Sequence, residues 1–174
     1  RQRQMCIRDS MGPFRYEGIA GLFGSYVGTD AHNSSQHMLD LYQGGISLPD
    51  EAYYREEQHR EVLEAWETYV AKLFTLVGLN EEDAMSHARA VREFETQVAS
   101  FHRDAVSNRD PLLADHPMTW DELRENYPLF PWDLWAKAAK LPLEKIETLN
   151  VSHPEFFEGA TQLWHNTDLE VLKM

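Results

Sequence analysis

Residues Gln43–Tyr54 read QGGISLPDEAYY, and the pattern of the chain changes across them. Gly44 and Gly45 open backbone angles that other residues avoid, while Pro49 fixes its own φ and pushes Leu48 toward an extended conformation. The stretch is a forced turn. Before it, Phe23, Ser25, Val27 and Thr29 fall on one face of a strand and Gly24, Tyr26 and Gly28 on the other. His37, Leu39 and Leu41 then alternate with Met38, Asp40 and Tyr42. Between these runs, DAHNSS (Asp30 to Ser35) is rich in residues that bond their own backbone in turns. The plain reading is a β-hairpin. A lone hairpin is marginal in water, so this one must lean on helices or pair with further strands.

After Tyr54 the period becomes helical. Val62, Trp66, Tyr69, Leu73 and Val77 form an apolar stripe widened by Leu63, Val70 and Phe74, and Glu56 to Arg60 is a favourable i,i+4 charge pair. Gly78 ends that helix and Asn80 caps the next, whose buried stripe is Ala84, Ala88, Val91, Phe94 or Glu95, Val98 and Phe101. The two helices are expected to pack as an antiparallel pair. SNRDPLLADHP (Ser107 to Pro117) reads as a loop. Thr119 with Glu122 announces a short helix that Pro128 ends, and Pro131 opens another. A short extended segment falls near Thr148 to Val151, and Pro154 starts a helix with Phe156, Phe157, Ala160, Leu163 and Trp164 on its apolar side. Thr167 and Glu170 repeat the capping box before the last residue, Met174.

A chain of 174 residues with 43% hydrophobic content can bury one real core. The formal net charge of −13 opposes sequence-independent binding to nucleic acid or anionic membrane, and no apolar run approaches the roughly 20 residues of a membrane-spanning helix. Cys6 is the only cysteine, so no internal disulfide can form and nothing requires an oxidising compartment. Residues 1–10, RQRQMCIRDS, carry three arginines against Asp9 and have neither periodicity nor a signal-peptide core. They resemble translated adapter sequence and read as a non-native leader, leaving residues 11–174 for the fold.

Candidate chemistry is sparse. None of the eight histidines stands four residues from another, so the two-histidine helix face of HExxH zinc peptidases is absent from the sequence. Glu56 and His59 have the Glu-x-x-His spacing of di-iron bundles, but no second copy occurs and the pair falls on a polar helix face. Glu95, set in FETQVAS amid an apolar stripe, needs a partner if buried; it reads either as a general acid or ligand, or as half of a buried ion pair with an arginine such as Arg109. Asp30, His32 and Asn33 lack calcium-loop spacing and read as turn chemistry. Trp66, Trp120, Trp132, Trp135 and Trp164 could form a stacking platform, but their spacing assigns most of them to packing. No catalytic, cofactor-binding or metal-binding residue is assigned.

One resemblance is specific. VGTDAHNSSQHMLDLYQGGISLPDEAYY (Val27 to Tyr54) resembles the N-terminal domain of neprilysin-like zinc metallopeptidases, whose similar QGGLGLPDRDYY-type segment joins a hairpin to helices; Ile46-Ser47 stands where Leu-Gly is usual. FETQVAS, SNRDP, HPMTWDEL and the stretch from Phe156 to Met174 extend the likeness to roughly Gly21–Met174. The resemblance implies a mainly α fold with a small β-hairpin, part of the helical lid of a two-domain peptidase, cut at both ends and lacking the catalytic domain. It implies zinc in the full-length parent and none in this fragment. The implied partners are its own catalytic domain and, in the whole enzyme, peptide substrates. In that family a glutamate similar to Glu95 and the loop similar to SNRDP are taken as structural. The low cysteine count looks like a bacterial relative, extracytoplasmic or cytoplasmic. A reading of another class is a non-catalytic helical module that binds peptide or protein.

Overall fold

The computed structural model describes residues 21–174, so the expected leader at residues 1–10 lies outside the described residues. Strands β1 (Phe23–Thr29) and β2 (His37–Gln43) pair antiparallel in the expected hairpin register, Phe23 opposite Gln43 and Thr29 opposite His37. The hairpin does not stand alone. β2 also pairs parallel with β4 (Leu149–Val151), placing Leu39 beside Leu149 and Leu41 beside Val151, and β3 (Pro117–Met118) closes the far side of β4 antiparallel. The order is β1-β2-β4-β3. Period two explains the core face: Leu39, Leu41, Leu149 and Val151 are all buried on one side. The extended segment expected near residue 150 is thus a strand, whereas β3 falls at the edge of a stretch read as loop, because two residues before a capping box carry no period to detect.

The helical half is α1 (Ala52–Arg55), α2 (Arg60–Leu76), α3 (Glu81–Ser100), α4 (Trp120–Asn126), α5 (Trp132–Ala138), α6 (Pro154–Asn166) and α7 (Leu169–Leu172). The fold is mainly α with a small sheet, as the sequence implies. The expected continuous helix after Tyr54 is broken. Glu56 is extended (φ −98°, ψ 131°) and a 3-10 turn at Glu57–His59 precedes α2. Glu56 and Arg60 therefore do not pair; Arg60 instead reaches Glu57 at 3.1 Å and Glu64 at 2.9 Å. Gly78, at φ +106°, closes α2 with its N–H on the Thr75 carbonyl and that of Leu79 on the Phe74 carbonyl, the paired bonds of a Schellman motif. Asn80 caps α3 by accepting from the Asp83 N–H at 2.9 Å, and Thr119 with Glu122 makes the full capping box of α4. The second expected box does not form. Asp168 caps α7 by accepting from the Glu170 N–H at 2.8 Å, while Thr167 ends α6. A carboxylate one position later suits the positive helix end better than the hydroxyl.

Between sheet and helices lies an aromatic core. Phe23 touches four rings: Phe130, Trp132, Trp135 and Phe157, with centroids 5.0 to 5.4 Å away. Trp132, Trp135 and Trp164 are buried, Trp66 packs edge-on against Tyr54, and the Trp120 Nε1–H donates to Asp133 at 2.7 Å, so the five tryptophans pack and cap and do not form a platform. α3 buries the face expected of it. α2 does not: Leu63 and Ala71 are buried, but Val62, Tyr69, Leu73 and Val77 are exposed. The apolar residues of α2 cover more than half its circumference, and one antiparallel partner can cover only the Leu63–Ala71 side.

Candidate functional site

The polar groups with geometry worth a function gather around the Gln43–Tyr54 turn. Gly45, at φ +78°, turns the chain out of β2, and a Cβ there would stand 2.7 Å from the Leu22 carbonyl oxygen. The next residues fold back over the middle of α3, where Glu95 waits. One Glu95 oxygen accepts from the Ser47 hydroxyl at 2.7 Å, and the other accepts from the Ser47 N–H at 2.9 Å and from the Tyr54 hydroxyl. The Tyr54 oxygen in turn accepts from the Ser47 and Leu48 N–H groups at 3.2 and 3.1 Å. Both side chains are buried. Burial, then the bond to Glu95, push the Tyr54 phenol well above its ordinary value.

The expected Glu95–arginine ion pair is therefore absent. Arg109 sits exposed in the 3-10 turn Ser107–Arg109, and the partners of Glu95 are a phenol, a hydroxyl and a peptide N–H. Each satisfies a lone pair without burying a second charge, which costs less than desolvating a cation beside it. With both oxygens committed to the turn, Glu95 is placed to hold backbone.

A second set of groups clamps the start of the turn. The Gln43 side chain bonds both backbone groups of Arg103, at 2.9 and 3.0 Å, as a strand would. The Gln43 N–H donates to Nδ1 of His153 at 3.2 Å, and Nε2 of His153 lies 2.9 Å from the Asn108 side-chain oxygen. From the other side, Nε2 of His102 donates to the Gly44 carbonyl at 2.8 Å. The Arg103 guanidinium reaches Leu113 O, Ser152 O and Glu155, and Arg55 donates to the carbonyls of Ala99 and His102 at the C-terminal end of α3. Burial, then Arg103, push the His153 imidazole down to about 4; burial also lowers His102.

The other sequence candidates stay apart from these clusters. Nε2 of His59 is 4.0 Å from an exposed Glu56 carboxylate, and the His59 ring stacks on Tyr53 with centroids 4.3 Å apart. Asp30 accepts from the His32 N–H at 2.7 Å and Asn33 from the Ser35 N–H at 3.2 Å, as turn residues do, while the His32 ring reaches Asp115 at 2.9 Å and ties the hairpin tip to the loop before β3. Sequence reasoning missed Arg103, His102, His153 and the Asp40–Asn150–Ser152 bonds, in which the Ser152 hydroxyl donates to Asp40 at 2.5 Å and the Asn150 amide at 2.9 Å. Nothing local marks them, since each pairs with a residue dozens of positions away. A groove of about 400 Å³ between Tyr127–Leu129 and α6 carries Glu155, Glu158 and Gln162 on its wall, with no histidine or cysteine.

The sequence and the fold match known proteins. A family model described as Peptidase family M13 covers residues 4–174. The chain belongs to peptidase family M13. It is 30% identical over 148 residues to Neprilysin-3 of Drosophila melanogaster, an alignment that covers 82% of this chain and 19% of the relative. It is 29% identical over 150 residues to endothelin-converting enzyme 1 of Mus musculus, covering 84% of this chain and 20% of that protein. Among solved structures, Mycobacterium tuberculosis zinc metalloprotease Zmp1 in complex with inhibitor superposes with a TM-score of 0.91 at 31% identity, over 98% of this chain and 28% of that one. The chain spans about a fifth of the length of the curated relatives it matches. M13 peptidases depend on zinc. Among the described residues, no group of three or more His, Cys, Asp or Glu side chains could hold a metal ion, so these residues do not fit a zinc site. Among the described residues no helix is long and apolar enough to cross a membrane.

Proposed function

We propose that this M13 chain is part of the helical lid of a zinc-dependent metallopeptidase, restricting substrate access to peptides while supplying no catalytic or zinc-binding residue itself. The observation that carries this reading is the match to Zmp1 over nearly the whole chain, with 28% of that zinc metalloprotease covered. In this reading the zinc and the water-activating carboxylate belong to a catalytic domain that residues 11–174 adjoin, peptides are the substrates of the whole enzyme, and Glu95 and the histidine clamp shape the lid.

Peptide hydrolysis tests it. A polypeptide joining this chain to an HExxH-bearing catalytic domain is expected to cleave oligopeptides and to lose that activity with a chelator, while the chain alone with added zinc cleaves none. Zinc-dependent turnover by the chain alone overturns the assignment. The exposed flank of α2, with Tyr69 at 59% and Val77 at 75% exposure, favours one alternative: a helical module that binds peptide or protein without chemistry. That alternative requires tight peptide binding by the chain alone, whereas a lid fragment without its catalytic domain is expected to bind peptides weakly.

A further inference from the structure

The two histidines that grip the turn after β2 do so with opposite hydrogen-bonding roles. A backbone N–H can only donate, so Nδ1 of His153, 3.2 Å from the Gln43 nitrogen, must present a lone pair; its Nε2–H then donates to Asn108. A carbonyl can only accept, so Nε2 of His102 carries a hydrogen toward Gly44. His102 makes that bond whether neutral or charged. His153 cannot: a proton on Nδ1 sets two donors face to face.

We propose that His153 is the proton-sensitive pin of a latch: acid releases the Gln43–Gly45 turn from the start of α6, while His102 and the Gln43 side chain keep it on α3. The surroundings of the ring favour the neutral form. Arg103 and His102 face it from the end of α3 and His116 from the stretch before β3, against one carboxylate, the largely exposed Glu155 of α6; Gln43 and Asn108 are uncharged. His153 is itself buried at 9% exposure. The lowered value of about 4 agrees with the geometry. The sign follows from linkage. The folded chain binds the proton less readily than an opened one, whose imidazole titrates near about 6.5, so the latch holds fully above that pH and is lost as pH falls toward the folded value. Opening stays local, because Arg103 still ties the 103–113 stretch to Ser152 and Glu155. The latch does not depend on the peptidase reading.

Amide hydrogen exchange at Gln43 reads the latch directly. In the intact chain, protection corrected for intrinsic exchange is expected to fall about tenfold per pH unit between about pH 6 and pH 5. His153→Gln, whose amide can accept and donate without titrating, is expected to show flat protection, and His59→Gln to keep the wild-type response. Protection independent of pH in the wild type, or an unchanged acid response in His153→Gln, overturns the proposal. Should His153→Gln not fold, the ring nitrogens of wild-type His153 decide: Nδ1 unprotonated below about pH 5 supports the latch, and protonation near about 6.5 rules it out.

Discussion

Tyr54 shows how one hydroxyl can fix a turn. Its oxygen donates to Glu95 and accepts from the N–H groups of Ser47 and Leu48, so a single buried atom satisfies three polar partners that β2 and the helices leave unpaired. Tyr54→Phe keeps the ring against Trp66 but strands the Leu48 N–H and thins the set of donors around Glu95. A buried donor left unmet costs about 1–3 kcal/mol, so the unfolding free energy from a urea titration is expected to fall by an amount in that range. Tyr54→Phe combined with Glu95→Gln should cost less than the two single changes added together, because both act on one network. Additive losses would mean that the two groups do not support each other. The sequence places Tyr54 at the end of the turn and Glu95 on the inner stripe of α3. It does not pair them, since the return of residues 46–48 over α3 follows from Gly45 and Pro49 in a stretch without period.

Among the elements, what was legible is what is local. The capping box at Thr119–Glu122, the glycine stop at Gly78 and the Asn80 cap each involve groups within a few residues, so spacing encodes them. The sheet was legible only as far as the hairpin. β4 lies more than 100 residues from β2, and a parallel pair needs a crossover whose length no pattern specifies. The exit of β2 depends on Gly45, and Gly45→Ala is the sharpest test of that element. Its φ of +78° strains any side chain, and the added methyl meets backbone, the Leu22 carbonyl, at 2.7 Å. A loss of about 1–3 kcal/mol is expected, with weakened exchange protection in β1 as well as β2, because Leu22 leads into β1. Protection lost only at residues 44–46 would show that the turn is not coupled to the hairpin.

For the whole molecule, the apolar surface is distributed unevenly. The sheet and α3 to α6 enclose one aromatic core, while α2 rests on α3 by one side and turns Val62, Tyr69, Leu73, Leu76 and Val77 outward. Periodicity alone put Val62, Tyr69, Leu73 and Val77 on one apolar stripe, and hydrophobic residues at helical spacing do not say which of two apolar sides is covered. The two assignments differ in energy. Were Tyr69 and Leu76 core residues, replacing both by lysine would bury two unpaired charges and unfold the chain. With Tyr69 at 59% and Leu76 at 74% exposure, the double change is expected to move stability by no more than about 1 kcal/mol, at most about 0.5 for each surface site, while lowering the binding of a dye that reports exposed apolar surface. An unchanged dye signal would place the accessible apolar surface elsewhere than α2. A collapse in stability would mean that α2 turns its other side outward, and the burial of Leu63 and Ala71 would have to give way with it.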